Sequence, residues 1–196
     1  LILAPHLAQL TRKHPHLSID LLALPRMLHL SRREADIVIS LERPTRGSVI
    51  VSRLSDYSLY LYGQREYLAR KPLVATREDL RHHAFVSYVD DLLFTKELQF
   101  LDALHQPERF AFRSTSITAQ YEAVRAGAGL AVLPAFLADR DPVLTRVLPQ
   151  EGQFTRTFWM SMPSESKHLA RMQVTWAFLR ETVAAQQELL KPKAVR

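Results

Sequence analysis

Three adjacent hydroxyl side chains, Ser114, Thr115 and Ser116, are the residues of this sequence best suited to bind a small ligand. They follow an alternating segment, 109–113, that predicts a strand, and they precede apolar residues at helical spacing in 117–126. Hydroxyl groups and free backbone N–H groups then meet at the carboxyl edge of a sheet, where open α/β folds bind ligands. A simpler interpretation stays open, in which Ser116 only caps the helix.

Two of the chain's five glycines, Gly127 and Gly129, follow the predicted helix, and an apolar run then ends at Pro134. Glycine suits the first position past a helix because a left-handed backbone costs it little. A run without alternation, as in 130–133, is typical of a parallel strand covered on both faces. The pattern therefore predicts a strand, helix, strand unit with a right-handed crossover.

Other polar residues follow predicted strands in the same way. Ser40 ends the buried strand predicted at 36–40, Arg43 follows it, and Ser87 lies near the carboxyl end of the strand predicted at 85–88. An arginine and the N–H groups of a helix start suit a carboxylate ligand. The competing interpretations are a solvated loop for Arg43 and packing at the rim of the core for Ser87.

The sequence carries no recognisable catalytic set. It lacks a nucleophile elbow, a phosphate loop, a zinc-protease motif and a dinucleotide fingerprint, since Gly127 and Gly129 follow a helix instead of opening one. Asp90 and Asp91 are neighbours and suit a helix cap better than an acid and base pair. We predict no enzyme activity, no cofactor and no metal. We interpret three histidines near the start of the chain as surface residues: His6, His14 and His16.

The composition is that of a globular protein. The 196 residues are 47% hydrophobic and 23% charged, enough for one large domain or two small lobes. The absence of cysteine excludes disulfides, thiolate metal sites and cysteine nucleophiles. The formal charge of +6 comes from scattered residues, which argues against direct nucleic-acid contact. No apolar run reaches membrane-span length and no signal peptide is visible.

Periodicity predicts the remaining elements. We expect a helix over 1–13, a capped turn over 76–80, and a long helix that opens at Pro163 and Ser164. Residues 91–105 also have apolar residues at helical spacing. Further elements are strands at 17–21, 49–53, 58–62 and 153–162, a segment at 143–148 that returns along the lobe edge, a short helix at 27–33, and a turn or hinge at Gly63.

Several short motifs occur in an order that resembles the effector-binding domain of LysR-type transcriptional regulators. The longest is Ala123-Val-Arg-Ala-Gly-Ala-Gly-Leu-Ala-Val-Leu-Pro134. The others are Pro5 before Lys13-His-Pro15, Arg33-Glu-Ala-Asp-Ile-Val-Ile39, Asp79-Leu80 before His83, and Thr157-Phe-Trp159 before the last helix.

The resemblance implies an α/β fold of the type 2 periplasmic-binding-protein kind, with two Rossmann-like lobes and a ligand cleft between them. It places the first lobe at 1–60 with 163–190 returning to it, the second at 61–162, and a basic tail at 191–196. It implies a small-molecule effector in contact with Thr115 and Ser116, and then with Ser40, Arg43 and Ser87.

The resemblance also implies a cytoplasmic homodimer or homotetramer without membrane contact. DNA binding would belong to a winged helix-turn-helix preceding Leu1. The alternative is a periplasmic-type solute-binding protein, which shares the two-lobe plan and would carry a secretion signal in its full coding sequence.

Overall fold

The computed structural model describes residues 2–24 and 34–192. The chain divides into two compact units: Leu1–Ser55 with Thr157–Gln187, and Asp56–Arg156 with Glu188–Arg196. The lobe boundaries expected from the sequence, 1–60 with 163–190 and 61–162, stay a prediction. Within the described residues, no helix has the length and apolar character needed to cross a membrane.

The first unit is built on the helix α1 (Leu3–Lys13), which confirms the helix predicted at the start of the chain. Its stripe of Leu3, Leu7 and Leu10 faces inward, with Leu7 and Leu10 buried against Met160 and other apolar residues. The helix stops before Pro15, as expected, because proline disfavours helical backbone at the preceding residue.

The long helix α5 (Ala170–Ala185) covers the same core but begins later than predicted. The segment from Ser164, expected to open this helix, instead forms a 3-10 turn over Ser164–Ser166. Met172, Leu179 and Val183 are buried as their spacing predicts, whereas Leu169 precedes the helix and is 40% exposed.

Short strand β1 (Val38–Ser40) pairs antiparallel with β7 (Gln153–Pro163) in the first unit. β1 is half-buried, where a buried strand was expected. The strand predicted at 17–21 is wrong: Leu17 and Ile19 pack on the core while their neighbours are exposed, but no strand forms. Alternation thus predicted the burial of Leu17 and Ile19 but not of Leu21, which is 56% exposed, and a strand also requires a partner. The helix predicted over 27–33 lies outside the described residues.

The strand β2 (Val49–Gln64) is one strand of 16 residues where two short ones were predicted. In the second unit it pairs antiparallel with β5 (Ala131–Pro134) and with β6 (Leu144–Val147). Gly63 lies inside β2, so the expected turn is wrong. A Cβ at Gly63 would lie 2.7 Å from Leu130 Cδ2, which explains glycine there by close packing. Its role as a hinge stays a prediction.

The predicted strand, helix, strand unit consists of β4 (Phe110–Arg113), α3 (Ile117–Arg125) and β5. A further strand, β3 (Phe85–Ser87), confirms the prediction for 85–88 and pairs parallel with β4. β3 also bridges β5 in parallel at Phe85 and Leu130, so it lies between the two. The sequence predicted that β5 is a parallel strand. This holds only at that bridge, because β5 pairs antiparallel with β2.

The turn after α3 is built as the glycine pattern predicts. Gly127 has φ of 80°, its N–H donates to Val124 O, and the Ala128 N–H donates to Ala123 O. These two bonds form a Schellman motif, which satisfies carbonyls at the helix end. The buried core beneath includes Tyr60, Tyr62, Val86, Val124 and Leu133.

Short 3-10 turns occupy most of the connections in the second unit. The segment 91–105 forms turns at Asp90–Leu92, Lys96–Leu98 and Leu101–Ala103 instead of the long helix that its spacing favours. The turn predicted at 76–80 is a 3-10 helix at Glu78–His82, whose N-cap residue, Arg77, makes no side-chain capping bond. The Asp79 carboxylate accepts hydrogen bonds from the N–H groups of Thr76 and Ala75, which lower its pKa. The remaining short helices are α2 (Arg65–Ala69), α4 (Ala135–Ala138) and α6 (Gln187–Leu190).

Candidate functional site

Parallel pairing of β3 and β4 brings two of the predicted polar segments to one sheet edge. Ser87 ends β3, and Ser114 follows β4 directly. The Ser114 N–H donates to the Ser87 carbonyl at 3.0 Å. Residues far apart in sequence are therefore neighbours at the carboxyl edge of the strands, the usual ligand side of an α/β sheet.

The segment 114–116 forms a tightly bonded turn, here named the hydroxyl turn. Ser114 Oγ accepts a hydrogen bond from the Ser116 N–H at 3.1 Å. Ser116 is the N-cap of α3, and its Oγ accepts from the Ala119 N–H at 3.4 Å. The capping interpretation of Ser116 is thus confirmed, and its side chain remains exposed to a ligand.

Thr115 occupies the centre of the hydroxyl turn and is half-buried. Its side chain has no hydrogen-bond partner within residues 2–24 and 34–192. The first turn of an α-helix also leaves backbone N–H groups without intrahelical partners and carries partial positive charge. Hydroxyl and amide donors therefore converge at this point, an arrangement suited to an anionic group.

A buried glutamine, which sequence reasoning missed, supports the hydroxyl turn from below. Gln120 on α3 is 1% exposed, and its Nε2 donates to the Ser114 carbonyl at 2.8 Å. It lies three residues after Ile117 on the inward face of α3. A polar residue on an otherwise apolar stripe was the signal that could have identified it, because buried polar groups are almost always hydrogen-bonded.

We predict that Gln120→Leu lowers the free energy of unfolding by about 1–3 kcal/mol, because a buried carbonyl loses its donor. Amide hydrogen exchange at Ser116 and Ala119 should accelerate relative to wild type. Gln153→Leu is the matched control, since Gln153 is exposed and surface changes usually have small effects. Unchanged exchange in Gln120→Leu would show that this bond does not hold the turn.

A groove of about 330 Å³ lies beside Ser87 within the second unit. Its lining combines apolar rings with polar groups: Ser87, Tyr88, Asp90, Phe100, Asp102 and Phe110. Burial raises the pKa of Tyr88 to about 12, so its hydroxyl keeps its proton at neutral pH. The groove therefore offers aromatic surface and neutral hydroxyl groups next to Ser87.

Ser40 and Arg43 belong to the first unit. Ser40 Oγ donates to the Glu42 carbonyl at 2.7 Å, and the exposed Arg43 guanidinium lies 5.5 Å from the centre of the Trp159 ring. The part of both residues in ligand binding stays a prediction. Among the described residues, no group of three or more histidine, aspartate or glutamate side chains could hold a metal ion.

Comparison with known proteins identifies the class. The model of the family described as "LysR substrate binding domain" matches residues 1–184, which is nearly the whole chain. The chain therefore belongs to the LysR substrate-binding domain family. Its α/β fold is the two-lobe, periplasmic-binding-protein-like fold of that family.

Solved structures agree on the fold. The regulatory domain of CrgA, a LysR-type transcriptional regulator from Neisseria meningitidis, matches with a TM-score of 0.78 and 21% identity, covering 93% of this chain and 92% of that one. The effector domain of the transcriptional regulator AmpR from Pseudomonas aeruginosa matches with a TM-score of 0.72 and 18% identity, covering 95% and 90%.

Two curated relatives are longer than this chain. The Mau operon transcriptional activator of Paracoccus denitrificans is 31% identical over 136 residues, 69% of this chain and 44% of that protein. An uncharacterized HTH-type transcriptional regulator of Haemophilus influenzae is 24% identical over 161 residues, 78% of this chain and 55% of that protein. This chain thus spans about half the length of these relatives.

Proposed function

We propose that this chain senses a small-molecule effector for a LysR-type transcriptional regulator. The effector contacts Thr115 and Ser116 of the hydroxyl turn, and then Ser87, Ser40 and Arg43. The observation that supports this most directly is the convergence of the Thr115 hydroxyl and the first amides of α3 beside Ser87, at the carboxyl edge of β3 and β4.

A carboxylate suits this arrangement. Its oxygens accept hydrogen bonds from hydroxyl and amide donors at a helix start, where the partial positive charge favours an anion. The groove beside Ser87 extends the site with aromatic and apolar surface from Phe100 and Phe110. A carboxylic acid with an apolar or aromatic body therefore fits the chemistry of the second unit best.

The regulatory output follows from the thermodynamic linkage between effector binding and the arrangement of the two lobes. An effector that binds one arrangement of the two lobes more tightly shifts the population toward it, by no more than its difference in affinity for the two. DNA binding belongs in this proposal to an N-terminal winged helix-turn-helix of the full-length protein. The protein acts in the cytoplasm as a homodimer or homotetramer and needs neither an enzymatic step nor a cofactor. A secretion signal in the full coding sequence would favour a solute-binding protein instead.

A thermal-shift screen against aromatic acids, aliphatic carboxylates, amino acids and sugars tests the proposal. A ligand held at about 100 times its Kd stabilises the native state by about 2.7 kcal/mol, which a melting curve resolves. Stabilisation by carboxylates, with none by sugars, is the expected pattern. Stabilisation by sugars alone would contradict the carboxylate preference.

We predict that Thr115→Ala raises the Kd of the carboxylate found in this screen about tenfold, because it removes a hydrogen bond of about 1.4 kcal/mol to a charged group. The melting temperature without ligand should change little, since the hydroxyl has no partner in the described structure. Thr145→Ala on β6 is the matched control, because Thr145 is also half-buried. Isothermal titration calorimetry measures both, and an unchanged Kd in Thr115→Ala would remove this residue from the site.

A further inference from the structure

A second concave site lies at the opposite edge of the same strands, here named the amino-edge pocket. It has a volume of about 340 Å³ and belongs entirely to the second unit. Its walls come from residues just before β3 and β4, from α2 and from the 3-10 helix Glu78–His82. The lining residues that matter are Tyr67, Lys71, Arg81, His83, Glu108 and Arg109.

The pocket is distinct from the hydroxyl turn by topology. Ala84 and Arg109 directly precede β3 and β4, whereas Ser87 and Ser114 end and follow them. Because the two strands run parallel, these pairs lie at opposite ends of the strands. A ligand in the amino-edge pocket therefore does not occupy the effector site proposed above.

Positive charge exceeds negative charge in the lining of the amino-edge pocket. Lys71, Arg81 and Arg109 line it, against the carboxylate of Glu108. None of the three cations makes an ion pair within residues 2–24 and 34–192. Other basic residues of the same unit are paired: Arg77 with Glu151, Arg125 with Asp141, Arg146 with Asp139, and Arg156 with Glu97. Unpaired cations that converge on a concavity concentrate positive potential there and attract anions.

Tyr67 adds an uncharged donor. Its hydroxyl oxygen accepts a hydrogen bond from the Ala84 N–H at 3.1 Å. The hydroxyl proton has no acceptor in the described part of the chain. Burial raises the pKa of Tyr67, so the proton stays on the phenol at neutral pH. The Ala84 N–H thus positions the Tyr67 hydroxyl, which can donate a hydrogen bond to a ligand.

His83 adds a buried ring nitrogen without a hydrogen-bond partner in the described residues. The side chain lines the pocket and is 4% exposed. Its Nε2 lies 3.1 Å from the Pro72 carbonyl, which can only accept, so Nε2 carries the proton. Nδ1 is buried and has no partner. A buried nitrogen without a partner costs free energy, and a nearby anion would offset that cost by favouring the protonated ring, whose Nδ1–H can donate.

We propose that the amino-edge pocket binds the phosphate group of a small metabolite, held by Arg81, Arg109, Lys71 and the Tyr67 hydroxyl. A phosphate monoester carries about −1.5 to −2 charges at neutral pH, which matches three cations and one carboxylate. The volume exceeds that of a phosphate group and falls in the range of small-molecule sites, so it accommodates part of the attached molecule. The second unit thereby offers a second ligand site separate from the hydroxyl turn.

The test titrates inorganic phosphate, and separately acetate, into the 196-residue chain at constant ionic strength by isothermal titration calorimetry. The double variant Arg81→Gln with Arg109→Gln should raise the phosphate Kd at least tenfold. Arg140→Gln is the matched control, since Arg140 is exposed and lies outside the pocket. The 15N shift of the His83 Nδ1 should move on phosphate addition in wild type and in the control.

Acetate separates a phosphate site from a general carboxylate site, and Thr115→Ala separates the two edges. Phosphate binding tighter than acetate binding and unchanged in Thr115→Ala supports the inference. Three outcomes would overturn it: no phosphate binding by wild type, equal phosphate Kd in wild type and the folded double variant, or phosphate binding lost in Thr115→Ala. Melting temperatures without phosphate establish that the double variant is folded.

Discussion

Asp139→Ala is expected to lower the free energy of unfolding by about 2–3 kcal/mol, because the Arg146 guanidinium, only 13% exposed, and the Tyr62 hydroxyl lose their charged acceptor. Asp139 Oδ1 accepts from Tyr62 Oη at 2.7 Å and from Arg146 Nε at 2.9 Å, and Oδ2 accepts from Arg146 Nη2 at 2.5 Å. The Arg146 guanidinium also lies 3.7 Å from the centre of the Tyr60 ring. Burial and the bond to Asp139 raise the pKa of Tyr62, so the hydroxyl remains a donor.

Chemical denaturation followed by circular dichroism measures this loss. Glu122→Ala is the control, because its pair with Arg125 has side chains 57% and 45% exposed and Arg125 keeps Asp141 as a partner. The corresponding exposures for Asp139 and Arg146 are 26% and 13%. Exposed pairs contribute about 1 kcal/mol or less, so equal losses in the two variants would show that burial does not strengthen the Asp139 network.

The Asp139 network explains part of what the sequence could not predict. Tyr62, Asp139 and Arg146 lie on β2, after α4 and on β6, and they meet only through the pairing of β2 with β6. Periodicity indicates which face of an element is buried, but it does not indicate which polar side chains meet there. We interpret the interactions among Asp139, Arg146 and Tyr62 as structural, since they lie beside the core of the second unit and not at the hydroxyl turn.

Local pattern predicted much of the secondary structure. Short-range spacing or a helix stop signal determines the end of α3, the strands β3, β5 and β7, and the helix α1. The errors arose where a local pattern needed a distant partner. Residues 17–21 alternate without pairing, and 91–105 have apolar residues at helical spacing but form separate 3-10 turns.

The candidate site was predictable only where topology could be inferred. Ser87 and the hydroxyl turn meet because β3 and β4 run parallel and end at one edge, whereas the strand, helix, strand pattern indicated only β4, α3 and β5. Gln120 escaped prediction because its role depends on a carbonyl at Ser114. The amino-edge pocket escaped it entirely, since its three cations come from three separate segments and none forms a motif. Ligand contact at all of these residues stays a prediction.

Gly129→Ala is expected to lower the free energy of unfolding by about 3 kcal/mol, because the new methyl group would collide with backbone. Gly129 has φ of 157°, and a Cβ there would lie 2.3 Å from Ala84 O and 2.7 Å from Ala84 C. The Leu130 N–H donates to that same oxygen at 2.9 Å, so relief of the collision would disturb the β3 and β5 contact. The melting temperature should fall by roughly 6–12 °C for a chain of this size.

Alanine substitutions at two other glycines distinguish the cost of a positive φ from the cost of a steric collision. Gly47 has φ of 89° and its nearest Cβ neighbour would be 3.9 Å away, so Gly47→Ala isolates the backbone cost of about 1 kcal/mol. Gly127→Ala adds a contact of 2.9 Å with the movable Gln64 side chain. The expected order of loss is Gly129, then Gly127, then Gly47; a Gly129→Ala variant as stable as Gly47→Ala would show that the backbone approach at Ala84 is relaxed at little cost.

The same contact links the two candidate sites. Ala84 lines the amino-edge pocket and its N–H holds Tyr67, while β3, which follows it, ends at Ser87 beside the hydroxyl turn. A shift of Ala84 in Gly129→Ala should therefore weaken phosphate binding at one edge and carboxylate binding at the other. Gly127→Ala leaves the Ala84 contact intact, so it should lower stability without changing the carboxylate affinity. Equal carboxylate affinities in both glycine variants would show that β3 does not couple the two edges.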